Sequence, residues 1–139
     1  MPYVRYRGEF LSDSQLIMDR LTQDYGIAWG AQLRADERHL AHLVRRTLEE
    51  GSYFIVLWSR WCVDDNWRVI KKAYFGTMPP VVRTLLPDLL RRSVRRTIWG
   101  QGVSRYTPEE LDAMLTRDLE AVRSLMAPEG FFLASASRA

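Results

Sequence analysis

From Asp36 to Trp61 the apolar residues recur at helical spacing. Leu40, Leu43, Val44, Leu48, Phe54, Ile55, Trp58 and Trp61 fall on one broad stripe, with Gly51 midway along it. A stripe of that width must be covered by other helices, so most of the chain is expected to be helical. Asp64-Asp65-Asn66 interrupts it, and a shorter helical run from Trp67 to Phe75 stops at Gly76. Pro79-Pro80 opens the next run: Val81, Val82, Leu85, Leu86, Leu89, Leu90, Val94 and Ile98, closed by Gly100 and Gly102. Pro87 within it should kink or restart the helix. Thr107-Pro108-Glu109-Glu110 supplies an N-cap, a proline at the first helical position and a capping-box glutamate. The helix it opens carries Leu111, Met114, Leu115, Leu119, Val122 and Leu125. Pro128-Glu129-Gly130 reads as a turn, and Phe131-Phe132-Leu133 as a short apolar segment.

The first 26 residues differ. Tyr3, Val4, Tyr6, Phe10 and Leu11 favour strands, and Arg7-Gly8 supplies the turn of a hairpin over Tyr3 to Leu11. Ser12-Asp13-Ser14-Gln15 then has the form of a capping box, in which Ser12 and Gln15 would satisfy each other's backbone donors. Leu16, Ile17, Leu21 and Tyr25 follow at helical spacing, and Gly26 sits where a left-handed stop belongs.

Composition narrows the function classes. With 139 residues, 47% of them hydrophobic, the chain can build a core, and disordered or fibrous classes are excluded. No run approaches the roughly 20 apolar residues that span a bilayer. Arg5 and the lack of a long apolar core argue against a signal peptide. A single cysteine excludes a disulfide framework, so the expected location is cytoplasmic. The net charge of +3 does not call for a polyanionic partner, and no specific nucleic acid is expected. Only Lys71 and Lys72 are lysines among the 20 basic residues, a bias read here as codon usage.

A Pro-Tyr-Val strand at Pro2-Tyr3-Val4, a hairpin, an acidic-Ser pair at Asp13-Ser14 opening a helix, and an all-helical remainder together resemble the glutathione S-transferase superfamily. Asn66-Trp67, Phe75-Gly76-Thr77-Met78-Pro79-Pro80, Arg92-Ser93-Val94-Arg95-Arg96 and Gln101-Gly102-Val103-Ser104-Arg105 resemble, more narrowly, its metaxin and failed-axon-connections branch. The resemblance implies a mainly α fold: a β-hairpin plus helix from the end of a thioredoxin-like, glutathione-binding domain over 1–27, a transferase-type helical domain over 34–133, and a tail over 134–139. The superfamily's first strand, helix and second strand precede the position of Pro2, and further core helices follow Leu133. On this reading the chain is truncated at both ends.

The same resemblance implies a glutathione site. Met1 and Pro2 would present backbone to the cysteinyl part of glutathione, Pro2 matching a proline that is cis in the family. Ser14, in the first helical turn, would hold the γ-glutamyl carboxylate, and Asp13 the γ-glutamyl ammonium. The implied activity is conjugation of glutathione, a co-substrate, to hydrophobic electrophiles by a homodimer. No catalytic residue can be named, because the family's thiol-activating Tyr, Ser or Cys lies upstream of Pro2, so little turnover is expected of this chain. The alternative function is a non-catalytic, metaxin-like interaction and assembly module.

Three further groups carry competing readings. Tyr53, Trp58 and Trp61, within an aromatic run that continues to Phe75, lie where transferases of this fold line the electrophile pocket; the simpler reading is core packing. Arg91, Arg92, Arg95 and Arg96 could meet phosphate, nucleic acid or an anionic membrane surface, or, as the simpler reading, form a solvated helix face. His39 and His42, with Asp36, could share a helix face, but no fourth ligand accompanies them and no metal is assigned. Cys62, between Trp61 and Val63, is expected to be a structural thiol.

Overall fold

A computed structural model describes residues 2–27, 30–31 and 33–126. Met1, the segment Phe131-Phe132-Leu133, the turn at Pro128 and the 134–139 tail lie outside the described residues. The chain opens with strands β1 (Tyr3–Tyr6) and β2 (Glu9–Ser12), paired antiparallel with Tyr6 opposite Glu9 and Tyr3 opposite Ser12. Arg7 and Gly8 both have positive φ, 49° and 87°, as a two-residue turn matching strand twist requires. Alternation places Val4, Tyr6, Glu9 and Leu11 on one face of the hairpin and Tyr3, Arg5 and Phe10 on the other.

Helix α1 (Ser14–Tyr25) lies against the first of these faces. Tyr6 and Tyr25 meet ring to ring with centroids 6.3 Å apart. Asp24 receives Arg20 at 3.0 Å and Arg7 at 3.3 Å, and Arg20 also reaches Glu9 at 3.6 Å. The hydrogen bond from Arg20 holds the Asp24 carboxyl below its ordinary range. Gly26 ends the helix in the left-handed conformation, as expected.

Helix α2 (Ala35–Arg46) passes through a π-helical segment (Thr47–Ser52) into α3 (Tyr53–Cys62). The periodic stripe therefore belongs to two helices joined by one wider turn that contains Gly51. Val63 breaks it, and α4 (Asp64–Phe75) starts on the acidic cluster, whose charges suit the positive end of a helix. Helix α5 (Pro80–Gln101) runs without interruption through Pro87, which is buried; the restart expected at that proline does not occur. Gly102 closes it with φ 108°, a short 3₁₀ turn (Val103–Arg105) follows, and α6 (Pro108–Ser124) completes the described chain. Its capping box forms as the sequence implies, with Glu110 N–H donating to Thr107 Oγ1 at 3.2 Å and Thr107 N–H to Glu110 Oε2 at 2.8 Å.

The helical core centres on Ile55, Ile98, Val103 and Leu111, drawn from α3, the end of α5, the 3₁₀ turn and α6. Phe54, Leu57, Trp58, Trp61, Val94 and Met114 pack around it. Fully burying side chains of this size contributes about 1.5–3 kcal/mol each.

Candidate functional site

The Asp13–Ser14 edge, where the end of β2 turns into α1, carries an unusual backbone. The cap falls one residue later than the spacing suggests: Ser12 is the last residue of β2, paired with Tyr3, and Asp13 is the N-cap. The Asp13 carboxylate accepts from Gln15 N–H at 2.8 Å and Leu16 N–H at 3.4 Å. Its backbone stands at φ 75°, ψ 130°. That is a sparsely populated region for a side-chain-bearing residue, costing about 1–3 kcal/mol. The surroundings impose it: Asp13 N–H donates to the Pro2 carbonyl at 3.1 Å, and the Asp13 carbonyl accepts from Ile17 N–H at 3.0 Å. Pro2, Asp13 and Ser14 are thus brought together by the hairpin closing onto the helix.

The consequence falls on Ser14. It is exposed, it holds the first amide of the helix, and its hydroxyl has no hydrogen-bond partner among the described residues. Asp13 takes the next two amides, so the Ser14 N–H and hydroxyl are the donors left for an incoming anion. The second Asp13 oxygen, Oδ2, accepts no hydrogen bond among the described residues and suits a cation such as an ammonium. Met1, also assigned to this site by resemblance, lies outside the described residues, and so does the geometry of its bond to Pro2.

The three pocket aromatics separate. Trp58 and Trp61 pack on the helical core, and Trp61 stacks on Trp67 with ring centroids 5.1 Å apart. Tyr53 is exposed and meets Phe54 edge-on at 5.3 Å. Trp58 also borders a cleft of about 230 Å³ between α3 and α6, beside Pro108 and Leu115. A larger cavity, about 510 Å³, opens against the π-helical segment and is lined by Glu50, Gly51, Tyr106 and Asp118. Buried Ser52, at the end of that segment, donates to Asp118 Oδ2 at 3.3 Å.

Arg91 is not part of a solvated basic face. Its guanidinium donates to the Trp61 carbonyl at 2.8 Å and the Cys62 carbonyl at 3.2 Å, pairs with Asp64 at 2.7 Å, and lies over the Trp67 ring at 5.1 Å. It therefore satisfies orphan carbonyls at the C-terminus of α3 and ties that helix to α4 and α5. Its pairing also holds the Asp64 carboxyl below the ordinary range. The sequence held a signal for this role: Arg91 lies four residues after Pro87 and three before Val94, on the inward stripe of α5. Arg92, Arg95 and Arg96 are exposed, as a solvated face requires.

Cys62 is half-buried at the end of α3, and burial raises its thiol pKa against the partly opposing influence of Arg95, Ser104 and Arg91. A thiol held protonated in this way is a poor nucleophile. Asp36 is engaged by Arg34, and His42 Nδ1 faces Arg45 at 3.2 Å. Among the described residues no group of three or more His, Cys, Asp or Glu side chains is arranged to hold a metal. No helix among them is long and apolar enough to cross a membrane.

A strand–turn–strand–helix opening followed by packed helices matches a thioredoxin-like N-terminus joined to a helical domain. The family model for the glutathione S-transferase N-terminal domain matches residues 1–67, and the chain is related to the glutathione S-transferase superfamily. The chain is also similar to the Failed axon connections protein of Drosophila melanogaster, 20% identical over 144 residues. That similarity covers 95% of this chain and 34% of the fly protein, so the chain spans about a third of the relative's length. No solved structure matches it.

Proposed function

We propose that the chain is a glutathione transferase-like binding module whose Asp13–Ser14 edge holds the γ-glutamyl end of glutathione. The observation that carries this reading is the strained Asp13 backbone, pinned by hydrogen bonds at both its N–H and its carbonyl. Strain of this kind persists where surrounding structure over-determines it, and it clusters at ligand clamps. Here it leaves the Ser14 donors exposed at a helix N-terminus, a position that favours a carboxylate. Ser14 would donate to the γ-glutamyl carboxylate, and Asp13 Oδ2 would accept from the ammonium. Residues 1–27 would form the end of the glutathione-binding domain and 34–133 the helical domain.

Conjugation belongs to the complete family architecture: the glutathione thiolate attacks an electrophilic carbon, with a hydrophobic electrophile near Tyr53, Trp58 and Trp61, in a cytoplasmic homodimer. That reaction needs a group that lowers the thiol pKa near neutrality. Neither Cys62, kept protonated by burial, nor Tyr6, whose hydroxyl is buried, suits that task. The reading proposed for the described residues is therefore glutathione binding. Calorimetric titration with glutathione tests it: saturable binding lost in Ser14→Ala, with an unchanged melting temperature, supports the site. Equal affinity in Ser14→Ala overturns it.

A second reading, a non-catalytic interaction module, is favoured by the outer face of α5. Val81, Leu85, Leu89 and Trp99 share that face with Arg92 and Arg96 and are 72%, 62%, 60% and 58% exposed. Salt-sensitive binding of a protein or of anionic vesicles, lost on Leu85→Ser/Leu89→Ser substitution, is the result expected from such a module.

A further inference from the structure

The cleft between α4 and α5 collects positive charge from both helices. It encloses about 810 Å³ and is lined by Arg68, Lys71 and Lys72 of α4 and Arg83 of α5, against the single carboxylate of Asp88. The only two lysines of the chain both face it, although arginine supplies every other basic residue. The uneven codon usage inferred from composition does not explain why both fall at one cleft. A lysine ammonium is a compact, mobile point charge, suited to a phosphate oxygen whose position varies.

Two of the cations are already paired, Arg68 with Asp65 at 2.7 Å and Lys71 with Asp88 at 3.4 Å. The other two have no acidic partner among the described residues. Lys72 is exposed and makes no ion pair, and Arg83 reaches only the Gly76 carbonyl, at 3.5 Å. Thr77, on the connection between the helices, adds a hydroxyl with no hydrogen-bond partner among the described residues. The cleft also lies beside the N-terminus of the 22-residue helix α5, whose dipole adds to the positive field. Two cations lining one cleft from two elements raise its positive potential, and an anion carrying at least two negative charges would neutralise both.

We propose that this cleft binds a phosphate-bearing ligand of at least two negative charges, with Lys72 and Arg83 as its principal contacts and Thr77 as a hydrogen-bond donor. The site is separate from the Asp13–Ser14 edge, so neither assignment depends on the other. The phosphate could come from a soluble phosphorylated compound or from a lipid headgroup, and the test separates these sources.

The 139-residue chain is titrated with inorganic pyrophosphate by calorimetry. It is separately sedimented with phosphatidylcholine vesicles containing or lacking phosphatidic acid. Lys72→Gln/Arg83→Gln is compared with the native chain and with Arg117→Gln/Arg123→Gln, which removes the same charge from exposed positions on α6. The result expected is saturable binding of pyrophosphate, of phosphatidic acid vesicles or of both, weakened at least about tenfold by the cleft pair and less than about threefold by the control pair. Pyrophosphate binding alone assigns a soluble ligand, and vesicle binding assigns a headgroup. All these side chains are exposed, so the variants should fold, and Thr77→Val provides a neutral change at the same cleft. No binding of either probe, or equal weakening by both pairs, overturns the proposal.

Discussion

Replacing Asp13 by glycine separates the stability of the α1 start from its function. At φ 75°, ψ 130° the aspartate stands at positive φ, where part of the strain comes from its Cβ, which glycine lacks. Relief of that part should return at most about 1–3 kcal/mol. Against this stands the loss of the carboxylate cap on Gln15 and Leu16. Exchanging a good N-cap residue for glycine costs only a few tenths of a kcal/mol, and the greater freedom of glycine in the unfolded chain costs about 0.5–1 kcal/mol. The balance is a variant as stable as the native chain or more stable by about 1 kcal/mol, which corresponds to a rise of roughly 2–8 °C in melting temperature. Glutathione affinity should fall at the same time, because the acceptor for the γ-glutamyl ammonium is gone. Urea denaturation and calorimetric titration on the same preparation read both quantities. Destabilisation by more than about 1 kcal/mol together with unchanged glutathione affinity would refute the reasoning that the strain is held for a ligand.

Arg91→Ala should destabilise the chain by about 2–4 kcal/mol, since it strands two carbonyls at the end of α3 and removes a guanidinium from the Trp67 ring. Arg92→Ala should cost less than about 0.5 kcal/mol, and equal losses in the two denaturation curves would contradict the clamp. The Tyr6 hydroxyl is buried, and its proton is retained by the neighbouring Tyr25 hydroxyl, by burial and by Asp24, which push its pKa up to about 12. The stabilisation this provides is fully present below the unfolded pKa of about 10 and is lost as pH rises through about 12. In an ultraviolet titration one tyrosine should ionise late and the lag should vanish in Tyr6→Phe; a single transition near pH 10 for all six tyrosines would contradict it. Burial also raises the Cys62 thiol, so iodoacetamide should modify it far more slowly in the folded chain than in urea, with the folded rate rising as pH increases. Equal rates at neutral pH would show an accessible thiolate.

The hairpin, the helical run from Trp67 to its end at Phe75, the start at Pro80 and the Thr107 box were legible because each is set by neighbouring residues, whereas the first turn of α4, from Asp64, was read as a break. Gly8 admits the turn, Gly76 ends α4, and Pro108 pre-sets the first turn of α6. The π-helical segment was not legible, since over six residues its wider period cannot be told from 3.6 in an apolar pattern. The shift of the cap from Ser12 to Asp13 follows from β2 pairing through to Ser12, a tertiary demand that overrides two equally good cap residues. Arg91 looked like one of four equivalent arginines, and only the approach of α3 and α4 singles it out. Asp13 and Ser14 became candidates through resemblance, whereas the strain that supports them is visible only in the backbone. The α4–α5 cleft depends on how two helices meet, which no local pattern specifies.

The central claim is that Ser14 and Asp13 grip glutathione. An amide-resolved NMR titration of the chain with glutathione and with γ-glutamylcysteine tests it most directly. Both ligands should shift the Ser14 and Gln15 amides along the same path, with the largest changes confined to residues around 2, 13 and 14. Changes centred elsewhere, or none at those amides under saturating glutathione, would contradict the account.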